Sequence, residues 1–282
     1  MENTEINYPE GAVKVLDHGF VRLVDVMGDD SSIVQSARVS YGKGTKTVNQ
    51  DEGLIRYLMR HKHTTPFEMV EFKFHCRMPI FVARQWIRHR TANVNEMSAR
   101  YSEMPDIFYT PSPELCTTQS AQNKQGGTGI QVSDPEATAK TFKDAQVSIY
   151  DDYKQYLEQD MRRELARVNL PVSLYTEWYW KIDLHNLFHF LKLRLDSHAQ
   201  FEIRVFAEAM ADMVKEYVPL AWKAFEDYQL NSMALSQLEV AEIRALLEGL
   251  EVDSSGLEER IANKRERKEF VEKLQLFGAS LK

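Results

Sequence analysis

A short segment, residues 88–102, concentrates side chains that could bind an anion. It begins Arg88-His89-Arg90 and holds a single carboxylate, Glu96. A guanidinium binds phosphate through two parallel hydrogen bonds and keeps its charge at any working pH. The whole chain carries a formal net charge of -7, so this basic segment stands out from its surroundings. The segment predicts a site for phosphorylated, nucleotide-like ligands.

The three residues that open this segment cannot all face one small ligand, because successive residues of a helix diverge by about 100°. They could serve one large, multiply charged ligand or two ligands that meet. Gln85 and Arg88 are three residues apart and would share a helix face. This pair could contact a substrate or form the solvated edge of an amphipathic helix, and the dense polar run that follows favours a site.

The polar run itself leaves several roles open. Glu96 could be a structural counter-ion, an acceptor for a ligand N–H or hydroxyl, or a general base. The first two roles are favoured, because neighbouring cations stabilise a carboxylate and weaken it as a base. Ser98 has no His–Asp arrangement beside it in the sequence, so hydrogen bonding to a ligand is favoured over nucleophilic attack.

Arg194 lies in an otherwise apolar stretch, residues 188–195, where a charge needs a partner. The sequence supports an ion pair with Asp196 or Glu202 as well as it supports a role in a site.

The histidines could suggest a metal centre, since His185 and His189 would share a helix face. No third ligand follows in the manner of a His-Glu-x-x-His motif, and His61 and His63 with Glu68 are equally ambiguous. A metal site is therefore the less favoured interpretation, and we assign no metal ligand.

Neither cysteine is typical of a nucleophile. Cys76 shares the apolar phase of an alternating stretch with Phe72 and Phe74, and burial among apolar groups makes a thiol inert. Cys116 has no cation near it in the sequence. Two cysteines also do not indicate a disulfide framework.

Hydrophobic periodicity predicts an α+β fold, with a mixed or antiparallel sheet, packed helices and one domain per subunit. Asp30-Ser31-Ser32 is a good N-cap for a helix to Val39, Gly42-Lys43-Gly44 marks a loop, and residues 118–134 predict a mobile surface loop. The domains predicted are a catalytic unit, 1–235, and a charged helical C-terminal extension, 236–282. Strands are predicted over 19–28 and 70–78, and helices over 54–61, 79–87, 136–158, 161–169, 183–195, 197–216 and 219–228.

Composition narrows the class of protein. With 43% hydrophobic residues the chain can bury a large core, so global disorder is excluded. The acidic balance disfavours a general binder of nucleic acid or anionic membranes. No N-terminal apolar segment and no run of membrane-spanning length occurs, so we expect a cytoplasmic protein. No Gly-x-Gly-x-x-Gly follows a strand, so arginines would have to hold any dinucleotide.

Several motifs in one order resemble the flavin-dependent thymidylate synthases. The first is Arg-His-Arg, seven residues, then Ser98 continuing as Ala-Arg-Tyr-Ser. The similarity extends upstream through residues 63–67 and 79–86, and downstream through residues 193–204. Together these motifs cover roughly Gly19 to Tyr228, which is far more specific than a basic triplet alone.

The resemblance implies an activity and an assembly. Enzymes of this family convert dUMP to dTMP, with 5,10-methylenetetrahydrofolate as carbon donor, FAD as hydride carrier and NADPH as reductant. No cysteine thiolate attacks the pyrimidine. They form homotetramers whose active sites are shared between subunits, and no nucleic acid or membrane is involved.

The resemblance also implies roles for individual residues. Arg194 would be catalytic, assisting ionisation at N3 of the uracil. The segment Asp183-Leu184-His185 stands where many members have Asn-Ala-Arg, which replaces a cation with a titratable ring. The implied dUMP contacts are Gln85, Trp86, Ile87, Arg88, Glu96, Met97, Ser98, Ala99, Arg100, Arg167 and Arg194. The implied flavin contacts are Thr65, Arg88, His89, Arg90, Glu96, Asp183, His185 and His189, with His63 nearby.

Three other functions compete with this interpretation. Arginines beside Trp86 and Tyr101 would suit single-stranded nucleic acid, and the histidines would suit a metal-dependent nucleotide hydrolase. A helical scaffold protein would leave the charge of Arg194 unexplained. All three are disfavoured, because none accounts for the ordered set of motifs.

Overall fold

An antiparallel five-stranded sheet organises the fold. The computed structural model describes residues 6–39, 48–120 and 126–281. Its strands are β1 (Val13–Val15), β2 (Gly19–Met27), β3 (Glu71–Pro79), β4 (Asn93–Glu96) and β7 (Tyr175–Asp183). They lie in the order β1-β2-β3-β7-β4, and every neighbouring pair is antiparallel. The α+β prediction is confirmed, and the sheet rules out a purely helical scaffold.

The two central strands, β3 and β7, pair over their full lengths, from Glu71 opposite Asp183 to Pro79 opposite Tyr175. The predicted strand over 70–78 is therefore confirmed. Strand β7 was missed, because the sequence analysis predicted no strand between the helices over 161–169 and 183–195. Buried Trp178 and Trp180 alternate there with more accessible residues, which is a strand pattern that the surrounding helices obscured.

Strand β4 was also missed, because its four residues are all exposed and carry no apolar alternation. It lies at the sheet edge, where Asn93–Glu96 pairs with the Trp178–Lys181 part of β7. Polar residues are usual on edge strands, since one face and one side remain in water.

The predicted helices are present with small shifts at their ends. The helix predicted from residue 54 begins earlier, and Asp29, with Ser32 completing a capping box, starts the first helix instead of Asp30. A 3-10 turn at Arg167–Asn169 ends the helix predicted over 161–169, and a π turn at Glu226–Leu230 follows the last. The helices are α1 (Asp30–Ala37), α2 (Val48–Arg60), α3 (Ile80–Trp86), α4 (Pro135–Glu158), α5 (Arg163–Ala166), α6 (Leu184–Arg194), α7 (Phe201–Tyr217) and α8 (Pro219–Phe225).

The described part of the loop predicted over 118–134, which excludes residues 121–125, forms the strands of a β-hairpin, and its mobility stays a prediction. Strands β5 (Thr117–Gln119) and β6 (Gly127–Gln131) pair antiparallel. The hydroxyls of Thr118 and Thr128 lie 2.6 Å apart. The sequence did not predict these short strands, because they are rich in Gly and Thr and neither strand has a buried face. The predicted loop at Gly42–Gly44 lies outside the described residues.

The main core lies between the sheet and the helices around α3, α6, α7 and α8. Trp86, at the end of α3, is fully buried at its centre. Its ring lies 5.4 Å from that of Trp178, 5.2 Å from Trp180 and 5.1 Å from Phe190, measured between centroids. This packing fixes α3 against the central strand and against α6.

The C-terminal segment folds onto this body. It contains α9 (Gln237–Leu247), α10 (Leu257–Arg260), α11 (Lys264–Leu276) and a short parallel pair, β8 (Glu251–Val252) with β9 (Ser280–Leu281). The prediction of a helical extension is confirmed, while the domain boundary at 235 stays a prediction. No helix in the described part of the chain is long and apolar enough to cross a membrane.

Four charged side chains attach α11 to α2. Arg56 donates from Nε to Glu266 Oε1 at 2.6 Å and from Nη2 to Glu266 Oε2 at 2.9 Å. Arg60 donates from Nε to Glu269 at 2.6 Å. The side chains of Arg56 and Glu266 are only 12% and 11% exposed, so water screens this pair weakly. Arg60 binds Glu269 through two hydrogen bonds as well, but Glu269 is 27% exposed. Glu266 is less exposed and lies near both arginines, which makes it the main attachment of the extension.

Substituting Glu266→Gln should therefore loosen α11. Hydrogen bonds to charged groups contribute about 1.5–3 kcal/mol, so amide exchange across residues 264–276 should accelerate by about tenfold or more. Hydrogen–deuterium exchange with mass spectrometry measures this. The matched control is Glu272→Gln on the same helix, whose side chain is 54% exposed and 3.7 Å from Lys268. Equal exchange in both variants would contradict the assigned attachment.

Candidate functional site

Two segments that are about a hundred residues apart in sequence meet at Arg194 and His89. Arg194 ends α6, and His89 follows α3 by three residues. Arg194 Nε donates to His89 Nε2 over 3.2 Å. The His89 ring also lies 5.0 Å from that of Phe190 and 5.8 Å from that of His189. The aromatic core thus holds both polar groups in place.

The electrostatics of this contact keep His89 neutral. Burial, followed by the electrostatic effects of Arg194 and His189, lowers the pKa of His89 from 6.5 to about 4. The neutral ring can accept the Arg194 N–H, whereas a protonated ring would repel the guanidinium. Burial also lowers the pKa of Arg194.

The hypothesis of an ion pair between Arg194 and Asp196 or Glu202 is wrong. Asp196 contacts His198 at 2.9 Å, and Glu202 accepts the Tyr109 hydroxyl at 3.0 Å. Arg194 has no carboxylate partner among the residues that the structure describes. A partly buried cation without an anion is a natural contact for an anionic or electron-rich ligand.

Arg194 lies on the wall shared by two clefts. The smaller, of about 400 Å³, is lined by Arg88, His89, Arg90, Thr91, Ile182, Asn186, His189, Leu193 and Arg194. The larger, of about 800 Å³, places Arg194 with Gln85, the β5–β6 hairpin and the segment 198–200. Gln85 Oε1 is buried and has no hydrogen-bond partner in the described part of the protein, so it is available to a ligand donor.

The structure thus brings together five of the predicted flavin or substrate residues in the smaller cleft: Arg88, His89, Arg90, His189 and Arg194. Gln85 joins Arg194 in the larger one. Ile87 lies between Gln85 and Arg88 in the sequence, and it is 46% exposed. The lining of these two clefts does not include Thr65, Glu96, Met97, Ser98, Ala99, Arg100, Arg167, Asp183 or His185.

Many of these other residues form a second group, where β4 ends. Thr176 donates to Glu96 at 2.6 Å, and Met97 N donates to the Glu177 carbonyl at 2.9 Å. Ala99 packs in a small cluster that also contains Ala166, so α5 and the residues around Ser98 are neighbours. Arg167 directly follows Ala166 in the sequence. Arg100, two residues after Ser98, contacts Glu164 of α5 at 3.5 Å.

The 183–185 segment has a structural role in this protomer. Asp183 is the N-cap of α6, with Oδ1 accepting from Asn186 N at 2.9 Å and Oδ2 from Asn186 Nδ2 at 2.7 Å. Asn186 in turn lines the smaller cleft. The 3-10 turn Phe67–Met69, which follows exposed Thr65, packs against α6. Both segments therefore bear on the helix that carries His189 and Arg194.

Trp86, a predicted substrate contact, is fully buried among aromatic rings and positions its neighbours in this protomer. Its contact with a substrate stays a prediction. Cys76 is likewise fully buried, and burial raises the pKa of its thiol well above 9.0. Cys116 is also buried, with its Sγ 3.7 Å from the Ser112 carbonyl. These surroundings are unfavourable for a thiolate nucleophile.

Several cleft residues escaped the sequence analysis. Asn186 lies three residues before His189 on α6, and that spacing could have revealed it. Thr117–Gln119, Lys192 and His198 enter the larger cleft only through the tertiary fold. The described residues contain no group of three or more His, Cys, Asp or Glu side chains that could hold a metal ion.

Arg194→Gln should raise the pKa of His89 from about 4, because a nearby positive charge is removed while burial persists. Titration of the His89 ring by NMR, with His89→Gln used to assign the resonance, measures the shift. In the wild type the unfolded chain binds this proton more readily, so acidification from 6.5 towards 4 should favour unfolding. An unchanged pKa in the variant would contradict the proposed charge coupling.

Comparison with known proteins identifies the family. A family model described as thymidylate synthase complementing protein matches residues 22–220. The flavin-dependent thymidylate synthase of Wolbachia pipientis wMel is 59% identical over 240 residues, 84% of each chain. That of Dictyostelium discoideum is 54% identical over 275 residues, 94% of this chain and 86% of its own.

A solved structure is also similar to this chain in fold and sequence. The UMP/dUMP methylase PolB from Streptomyces cacaoi, bound with 5-Br dUMP, superposes with a TM-score of 0.70 at 32% identity. The match covers 78% of this chain and 100% of PolB. Fold, ordered motifs and sequence identity together show that this chain belongs to the flavin-dependent thymidylate synthase family.

Proposed function

We propose that this protein methylates dUMP to dTMP, with 5,10-methylenetetrahydrofolate as carbon donor, FAD as hydride carrier and NADPH as reductant. The observation that carries the proposal is Arg194, a partly buried guanidinium with no carboxylate partner in the described residues, on the wall between two clefts. The relatives are named flavin-dependent thymidylate synthases, and PolB was solved with a dUMP analogue, which supports the same substrate class.

The smaller cleft suits a flavin dinucleotide. Arg88 and Arg90 on its wall have no carboxylate partner among the described residues, and Asn186 and His189 add hydrogen-bonding groups. Such a donor set can neutralise a pyrophosphate without a glycine-rich loop. When bound, the flavin supplies the hydride and accepts reducing equivalents from NADPH. Thr65, Glu96, Asp183 and His185 remain proposed contacts.

Arg194 polarises the pyrimidine in this proposal. A guanidinium beside N3 favours the ring anion electrostatically and makes C5 electron-rich. His89 accepts the Arg194 Nε–H, which restrains the side-chain orientation of the guanidinium. Gln85 Oε1 can accept a ligand N–H in the larger cleft. Buried Cys76 takes no part, so no thiolate bonds to C6.

The two separated groups of predicted residues support an assembly with shared sites. Gln85, Arg88 and Arg194 line the two clefts, whereas Ser98, Arg100 and Arg167 lie near β4 and α5. We propose that the second group, from another subunit of a homotetramer, binds the phosphate of the nucleotide. A single protomer would then hold two incomplete halves of different active sites.

The activity is tested on the purified protein. We expect a visible flavin absorption band, bleaching of that band by NADPH without oxygen, a spectral change with dUMP, and formation of dTMP when methylenetetrahydrofolate is added. Absence of flavin binding after incubation with FAD, or flavin reduction without any dTMP, would overturn the proposal.

Shared sites are tested by mixing two inactive variants. Arg194→Gln and Arg167→Gln should each abolish most dTMP formation, because each removes one half of every site. Co-assembled in equal amounts, they should recover roughly a quarter of wild-type activity, since a random mixture pairs two intact halves that often. Two copies of Arg194→Gln carrying different tags serve as the control. Recovery no greater than that control would show that one chain supplies both arginines.

A further inference from the structure

The C-terminal extension contains a cationic cleft of its own. Its volume is about 790 Å³, and its walls are the segment Ser254–Glu258 and one face of α11. From α11 it receives Lys264, Arg265, Arg267 and Lys268. Glu258 is the only acidic residue in its lining. The volume is within the range of about 300–1,000 Å³ that is usual for small-molecule sites.

Helix α11 segregates its charges between two faces. Glu266 and Glu269 point to α2, where Arg56 and Arg60 neutralise them. Lys264, Arg265, Arg267 and Lys268 line the cleft, whereas Lys273 lies on the side of those carboxylates. Lys264 and Lys268 are four residues apart, a spacing at which like charges destabilise a helix. Glu266 and Glu269 serve the attachment to α2, and Glu272 is the acidic residue of α11 that contacts this group of cations, through Lys268.

The cations of the cleft are only weakly neutralised by the protein. Lys264 and Arg265 have no carboxylate partner in the described part of the chain. Lys268 is 3.7 Å from Glu272, and both side chains are largely exposed. Arg267 donates from Nη1 to the Ile261 carbonyl at 3.0 Å, which fixes its guanidinium at the cleft without removing its charge.

The opposite wall of the cleft is held in a fixed shape by hydrogen bonds within its own segment. Ser255 is held by Asp253, which accepts from its backbone N at 2.8 Å and from its hydroxyl at 2.9 Å. Gly256 has a φ of +69°, so the chain turns sharply there. These hydrogen bonds and the turn at Gly256 fix the wall that faces the four cations across the cleft.

We propose that this cleft binds a polyphosphate-bearing ligand, such as a nucleoside triphosphate. Four cations from a single helix face match several phosphoryl groups better than one, and Arg and Lys are the side chains that bind such groups. The proposal does not depend on the proposed enzymatic function, because the residues lie outside the clefts around Arg194.

Calorimetry on the full-length protein tests the proposal. The protein is first saturated with FAD and dUMP, so that anion sites around Arg194 are filled, and then titrated with inorganic tripolyphosphate or with ATP. We expect one binding event per chain. Tighter binding of ATP would show that the nucleoside also contacts the cleft, whereas equal binding would show recognition of the triphosphate alone.

Two variants with the same change in charge locate the site. Lys264→Gln/Arg265→Gln/Lys268→Gln should weaken tripolyphosphate binding by about tenfold or more, given the usual strength of hydrogen bonds to charged groups. Lys140→Gln/Lys143→Gln/Lys154→Gln on exposed positions of α4 should leave it unchanged. The proposal fails if the wild type does not bind tripolyphosphate, or if both variants lose affinity equally.

Discussion

The aromatic packing around Trp86 is the constraint on which the candidate site depends. Helix α3 has seven residues and could not be stable in isolation. Trp86 anchors it, because its indole is buried against Trp178, Trp180 and Phe190. Gln85 and Arg88 flank this anchor, and Arg194 lies one turn beyond Phe190. The positions of the polar groups are therefore consequences of the core.

That core also sets the chemistry of the polar groups. Burial keeps His89 neutral, with a pKa of about 4, and a neutral ring can lie 3.2 Å from a guanidinium. Two adjacent cations in a partly buried site would repel each other strongly. Arg194 forms no ion pair with a carboxylate in the described residues, so its charge is available to a ligand.

Local patterns in the sequence predicted much of the fold. Strand β3 and the long helices α4 and α7 have clear periods of 2.0 or 3.6 residues, and all three were predicted. Strands β4 and β7 were missed, because β4 is short and exposed and β7 lies between helices. The smaller cleft depends on β7, since it carries Ile182 and leads directly into α6.

The residues of the candidate site, too, were only partly predictable from the sequence. The ordered motifs indicated Arg88, His89, Arg90, His189 and Arg194, and the structure gathers these five in one cleft. Sequence could not show that Trp86 is buried, or that Asp196 and Glu202 have other partners. Both facts depend on contacts between distant segments.

A net charge of -7 also conceals local groups of cations that carboxylates do not neutralise. Solvent-exposed charges are screened beyond about 10 Å at 0.1 M salt, so an acidic protein can bind anions wherever its carboxylates are engaged elsewhere. Glu266 and Glu269 of α11 are engaged in this way by Arg56 and Arg60, and exposed Glu272 contacts Lys268, which leaves most of the helix's basic face available.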